Sequence, residues 1–277
     1  MSAFIDQAGA PPAASGPARD AHLRARLPQA CQRGDMHLEY QPICDLRSGR
    51  ALGFEALLRW REAGALVPPA EFIPLAEASG DIAALSDWMV AQACRDLAAF
   101  GAPCVVSLNV SAGQLVAPGF AGRFIATLRA GGVDPARVGV EVTESVLIAE
   151  PAQAIASLAD LRRAGVRVAI DDFGTGFSSL AYLRDLPFDV VKVDRSFVAG
   201  ATEDRVSQAI LEAVALIGRR IGVAILAEGV ETQAQRDWLS GAGFTLGQGY
   251  LFGRPAPAAH WRAPVAPAAI AGEAGGG

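Results

Sequence analysis

The feature that most constrains this chain is a repeated pairing of short apolar runs with helical segments. Eight runs recur in order: HLEYQPI, ALGFEALL, CVVSLNV, RVGVEVT, RVAIDDF, VVKVD, GVAILAE and FTLGQGY. They are rich in β-branched residues, and most are separated by stretches with a helical repeat. Thr202 to Gly222 shows that repeat well, with Val206, Ile210, Val214, Ile217 and Ile221 predicted on one buried face. Ala154 to Ala164 does likewise through Ile155, Leu158 and Leu161, and Gly165 ends it. Only Asp45 to Arg50 separate the first two runs, a length that suits an antiparallel hairpin. The remaining β-α alternation predicts a mostly parallel sheet, buried on both faces because its strands are almost continuously apolar. A closed barrel is the expected α/β architecture. A doubly wound open sheet is the alternative, and periodicity does not separate the two.

Length and composition fit one such core. The chain has 277 residues, 51% hydrophobic and 19% charged. Its first stretch, including QAGAPPAASGPA, and its last, APVAPAAIAGEAGGG, read as disordered tails spanning residues 1–20 and 263–277, with the folded domain at 21–262. The uncharged stretch Gly101 to Gly122 is broken by Pro103, Ser107, Asn109, Ser111, Gln114 and Pro118, so no membrane insertion is expected. No basic segment followed by an apolar core opens the chain, and a cytoplasmic location is expected. Cys31, Cys44, Cys94 and Cys104 form no CxxC pair and read as reduced thiols. A net charge of -5 with no basic stripe argues against a nucleic-acid polymer as partner. A small anion could still bind where something local neutralises it.

Polar residues fall at the ends of these runs. VVSLN ends in Asn109, GVEVTE carries Glu141 and Glu144, and VAIDD ends in Asp171 and Asp172. VVKVD presents Lys192 and Asp194, and VAILAE ends in Glu228. One acid at a strand end is ordinarily a turn former or helix cap. Recurrence on five strands points instead to the carboxyl ends of a parallel sheet, where ligands and catalytic groups gather. The three histidines, His22, His37 and His260, sit at none of these ends, which removes Ser-His-Asp catalysis and histidine-rich zinc sites. Oxygen-only ligands select Mg²⁺ or Mn²⁺. Adjacent Asp171 and Asp172 could serve two such ions, about 3.5–4 Å apart in sites that displace groups at phosphorus. Lys192 is the one lysine among 24 basic side chains. A compact ammonium on a flexible stem fits a crowded site that a planar guanidinium would not.

With these residues in view, the chain resembles the EAL-domain family of cyclic di-GMP phosphodiesterases. The name motif stands as Glu55-Ala56-Leu57 within GFEALLRW. The similarity continues through YQPICDL, EFIPLAEASG, LNVSAGQL, EVTES, DDFGTGFSSL, KVDRSFV, AEGVETQAQ and GQGYLFGRP, in order from roughly Leu23 to Pro257. It implies a TIM-like (β/α) barrel whose first strand is antiparallel to its neighbours. It also implies hydrolysis of one phosphodiester bond of cyclic di-GMP to linear pGpG, by two-metal activation of a water. By motif position, Glu55, Asn109, Glu141 and Asp171 match ligands of one Mg²⁺ or Mn²⁺, and Asp171, Asp172 and Glu228 match ligands of the second. Lys192, Glu228 and Glu55 match the catalytic groups. Gln41, Arg59 and Gln248 match positions that contact substrate or order the site. Glu144 matches the glutamate that holds the DDFGTGFSS loop, where Gly174 and Gly176 suit a sharp bend. Glu231 matches a position near the site, while Asp194 reads as a cap for the segment that follows it. A homodimer is implied as well, and Ca²⁺ is expected to inhibit through its looser coordination. Two alternatives stay open: a catalytically weak EAL domain acting as a cyclic di-GMP receptor or protein-interaction module, and an unrelated magnesium-dependent barrel. Residue by residue, Arg59 could instead stack on Trp60 at the surface, and Gln41 could be a plain strand-end residue.

Overall fold

The computed structural model describes residues 16–100, 104–143, 151–174 and 186–261. Glu144, Gly176 and most of both expected tails therefore lie outside the described residues. Helix α1 (Pro17–Arg33) comes first. Strands β1 (Met36–Asp45) and β2 (Ala51–Glu62) then form the antiparallel hairpin that the short Asp45–Arg50 spacing predicts. Its turn is held by Asp45 Oδ1, which accepts from the Ser48 amide and hydroxyl at 2.7 Å each, with Gly49 in the left-handed region. Strand β3 (Ala65–Val67) adds to β2, and helices α2 (Pro69–Ser79) and α3 (Ile82–Phe100) follow.

The β-α alternation continues through β4 (Val105–Asn109), α4 (Ala112–Leu115), α5 (Phe120–Ala130), β5 (Val138–Thr143), α6 (Pro151–Arg163) and β6 (Arg167–Phe173). It ends with β7 (Val190–Val193), α7 (Arg195–Ala199), α8 (Arg205–Ile221), β8 (Ala224–Ala227), α9 (Gln233–Ala242), β9 (Leu246–Gln248) and β10 (Ala256–Pro257). Hydrogen bonding runs β1-β9-β8-β7-β6-β5-β4-β2, and the β1–β2 pairing returns to the start. The sheet is a closed eight-strand barrel, which decides against the open alternative. Strand β1 is antiparallel to both β2 and β9, and the other ring pairings are parallel.

Period-2 alternation divides each strand between two environments. Phe54, Leu58, Val106, Leu108, Val140, Val168, Ile170, Val191 and Ile225 are buried in the core that the helices cover. Their neighbours in sequence face the barrel axis. Gly53, Ser107, Gly139 and Ala169 are small and leave a cavity of about 40 Å³, which reaches up to Glu141 and Lys192. Glycine at 53 is a steric requirement, because a Cβ there would stand 2.6 Å from the Val105 carbonyl oxygen.

Two expectations need correction. Helix α1 begins at Pro17, inside the stretch 1–20 that composition marks as a tail. Leu23, Leu27 and Ala30 are buried, and Arg19 and Arg26 reach Glu71 and Glu62 at 2.6 and 3.0 Å. These contacts anchor an Ala-rich segment whose composition alone would leave it loose. On α8 the buried face is Ser207, Leu211, Val214, Ala215 and Gly218, whereas Val206 is 66% exposed and Ile221 is exposed too. Small residues set this rotation: a Cβ at Gly218 would collide with Ile225, and one at Gly200 would meet Ser207 Oγ at 2.5 Å. A hydrophobic count gives no weight to the serine and glycine that allow close approach. Among the described residues no helix is long and apolar enough to cross a membrane.

The packing gives a paired prediction. Gly53→Ala is expected to lower unfolding stability by about 1–3 kcal/mol, because backbone must shift. Gly241→Ala, on an exposed part of α9 with open space around it, is expected to gain about 0.4–1 kcal/mol. Urea denaturation of both variants measures the contrast, and equal effects would refute the steric reading.

Candidate active site

The carboxyl ends of the strands bring their polar residues to one mouth. Lys192, on β7, is 1% exposed, and its Nζ sits among four carboxylates from four other strands or strand ends. It lies 2.7 Å from Glu228, 3.2 Å from Asp171 and 3.5 Å from Glu55, and it also pairs with Glu141. The closed ring makes this convergence possible, since residues far apart in sequence face the same axis.

Asp171 and Asp172 pose a geometric problem, because adjacent strand residues point to opposite faces. The β6–β7 register slips between Ile170 and Phe173, and Asp172 has φ +55°. This irregularity turns the second carboxylate as a bulge does. Asp171, Asp172 and Glu228 consequently offer oxygens that all lie within 4.8 Å of one another.

Carboxamides complete the ring. Asn109 Nδ2 donates to Glu55 Oε1 at 2.8 Å, and Gln248 Nε2 donates to Glu55 Oε2 at 2.7 Å. Gln248 Nε2 also donates to Gln41 Oε1 at 2.9 Å, and Gln41 Nε2 donates to the Gly253 carbonyl at 3.3 Å. Arg59 is buried rather than stacked at the surface. Its Nε donates to Glu39 Oε2 at 2.8 Å and its Nη1 to the Leu58 carbonyl at 3.2 Å. Glu39, the ion-pair partner of Arg59, is a residue that the sequence reading missed. Its signal was there, since it stands two residues before Gln41 on the same strand face.

The peripheral candidates fall elsewhere. Asp194 caps α7, accepting from the Ser196 amide at 3.0 Å, as its position before that segment predicts. Glu231 is exposed in the turn before α9, and its backbone N–H donates to Gln235 Oε1 at 2.9 Å.

One ammonium does not neutralise four buried carboxylates, so protons are retained. Burial, reinforced by Glu55, pushes the Glu141 carboxyl up to about 8. Burial also raises Asp171 to about 6, with Lys192 opposing and the Glu55 and Asp172 charges reinforcing. Glu228 is raised well above the usual range, chiefly by burial. Glu55 is held below its ordinary value despite burial, because Lys192 and the Asn109 and Gln248 hydrogen bonds favour its charged form. Burial disfavours the charged Lys192, but the surrounding carboxylates outweigh it and raise its pKa well above normal.

The donor set fits hard divalent cations. Its ligand atoms are oxygens, and Asn109 Oδ1 and Gln248 Oε1 are buried acceptors with no hydrogen-bond donor among the described residues. Such atoms are costly unless a donor or a cation satisfies them.

The sequence pattern of the EAL domain matches residues 24–255. The chain belongs to the EAL domain family. Its name motif, Glu55-Ala56-Leu57, lies on β2 with Glu55 turned into the mouth. Protein y4lL of Sinorhizobium fredii is 45% identical over 250 residues, covering 87% of this chain and 30% of that one. The bifunctional diguanylate cyclase/cyclic di-GMP phosphodiesterase MucR of Pseudomonas aeruginosa is 38% identical over 245 residues, covering 87% and 36%. A solved MucR phosphodiesterase in complex with c-di-GMP superposes with a TM-score of 0.80 at 37% identity, covering 86% of this chain and 99% of that one. The chain thus spans about a third of the length of these curated relatives.

The raised carboxyls predict a pH effect. In the folded chain Asp171 and Glu141 keep protons that an unfolded chain has released, so this stabilisation is present at low pH and lost as pH rises through about 6 and about 8. With chelator present, the melting temperature is expected to fall between about pH 5 and pH 8.5, and Mn²⁺ is expected to raise it more at the upper end. Scanning calorimetry measures both. A Mn²⁺ shift independent of pH would contradict the assignment.

Proposed function

We propose that this chain hydrolyses one phosphodiester bond of cyclic di-GMP to give linear pGpG. The observation that carries the reading is the Lys192-centred ring of Glu55, Glu141, Asp171 and Glu228, with Asn109 Oδ1 buried beside it and without a donor among the described residues. Similarity to MucR supports the substrate.

Glu55, Asn109, Glu141 and Asp171 would hold one Mg²⁺ or Mn²⁺, and Asp171, Asp172 and Glu228 the second. Such ions supply positive charge for the phosphate oxygens and make an attacking water more acidic. Asp171 serves both sets, and the backbone turn at Asp172 brings its carboxylate to the same side. Lys192 keeps its proton and directs a compact positive charge at the reacting phosphate. Arg59 is anchored on Glu39 and the Leu58 carbonyl, and it orients a non-bridging phosphate oxygen. Glu228 orients the water for attack opposite the leaving ribose oxygen. Three amides, Asn109, Gln248 and Gln41, hold geometry without adding charge.

Incubation with cyclic di-GMP and Mg²⁺ or Mn²⁺, followed by chromatography, is expected to yield pGpG. Chelator or Ca²⁺ is expected to stop it, and Glu55→Ala to abolish it in a protein that still melts cooperatively. Tight cyclic di-GMP binding without product under either metal would make the chain a receptor and overturn the enzymatic reading.

Lys192→Arg tests the chemistry of the single lysine. The ammonium is buried among four carboxylates, and the fixed planar fork of a guanidinium would aim its donors differently. We expect kcat to fall at least about tenfold while KM for cyclic di-GMP changes little. Unchanged kcat would remove Lys192 from the reaction.

A further inference from the structure

Gln41 and Gln248 match family positions that contact substrate or order the site, and their hydrogen bonds separate those roles. Both side chains are buried, Gln248 1% and Gln41 2% exposed. Gln248 pairs with Ile43 across the antiparallel β1–β9 contact, which sets Gln41 two residues along the same face of β1. Gln248 Nε2 has two hydrogens, and both are engaged: one by Glu55 Oε2 at 2.7 Å, the other by Gln41 Oε1 at 2.9 Å. An ionised carboxylate only accepts, so the amide must turn its nitrogen towards Glu55. Gln41 presents its oxygen to Gln248, and its own nitrogen donates to the Gly253 carbonyl at 3.3 Å. Donation thus diverges from Gln248, on one side to the Glu55 carboxylate and on the other through Gln41 to the Gly253 carbonyl in the segment after β9. Asn109 Nδ2 fixes the other oxygen of that carboxylate at 2.8 Å.

We propose that Gln41 and Gln248 are positioning residues that act through Glu55, fixing the rotation of its carboxylate for a divalent cation rather than reading the nucleotide. The inference rests on the cation site proposed above. It makes Gln248 the immediate clamp and Gln41 the anchor that keeps the clamp from turning. Gln248 Oε1 then remains a buried acceptor facing no donor among the described residues.

Gln248→Met is close in length and lacks the N–H groups. Mn²⁺ affinity is measured by electron paramagnetic resonance without nucleotide, alongside kcat and KM for cyclic di-GMP. Removing a group that orients a metal ligand typically weakens metal binding by about 10–100-fold. We expect a loss in that range for Gln248→Met, with kcat lowered and KM within about twofold of wild type. In a Glu55→Gln background the same substitution should add less than about a twofold further loss of Mn²⁺ affinity, because its target is gone. Gln41→Met, which leaves the clamp but loosens its anchor, should repeat the pattern at smaller amplitude.

A raised KM with unchanged Mn²⁺ affinity would make Gln248 a substrate contact and overturn the proposal. Equal losses in the wild-type and Glu55→Gln backgrounds would also overturn it, since Gln248 would then act independently of Glu55. Wild-type protein that binds no Mn²⁺ would instead overturn the cation reading beneath it.

Discussion

The buried ammonium of Lys192 is the constraint on which the site depends. Four carboxylates around one cation leave an excess of negative charge in a buried barrel mouth. Desolvating each charge costs several kcal/mol, and no single partner repays it for all of them. The molecule answers in three ways. Glu141 and Asp171 hold their protons more tightly than usual, amide donors are aimed at Glu55, and oxygens are left suited to a further cation. Lysine suits the central place because its charge is compact and its stem bends.

The barrel supplies what this arrangement needs elsewhere. Alternation along the strands puts Val140, Val168 and Val191 under the helices and Glu141 and Lys192 on the axis. Below the charged ring, Gly53, Ser107, Gly139 and Ala169 are too small to fill the barrel. A positive φ at a non-glycine residue typically costs about 1–3 kcal/mol, and Asp172 carries one where the strand must present two consecutive carboxylates. Strain and incomplete packing therefore lie close to the site, while the helix-covered layer is densely buried.

The legible parts of the sequence were those where polarity interrupts an apolar run. Asn109, Glu141, Asp171, Lys192 and Glu228 stood out that way, and the structure brings them to one mouth. The hairpin was legible because six residues leave room only for a turn. Periodicity alone did not decide closure, which depends on β1 meeting both β2 and β9; the family resemblance implied the barrel. Glu39 escaped notice because a charged residue in an alternating strand looks like a solvent position. The buried face of α8 was misplaced because Ser207 and Gly218 bury by being small rather than apolar. The bond from Gln248 to Glu55 spans 193 residues, and no local pattern announces it.

That long-range bond bears on why the ring mixes amides with carboxylates. A further carboxylate beside Glu55 would add charge to a site that already retains protons to limit it. An amide adds none, and it has two ends. Asn109 and Gln248 each give an N–H to Glu55 and keep an oxygen that no donor satisfies among the described residues. The nitrogen end fixes an anionic neighbour, and the oxygen end remains available to a cation or a donor. Placed on opposite sides of one carboxylate, two such groups orient it without raising its proton affinity. This agrees with Glu55 being held below its ordinary pKa while Glu141, Asp171 and Glu228 are raised.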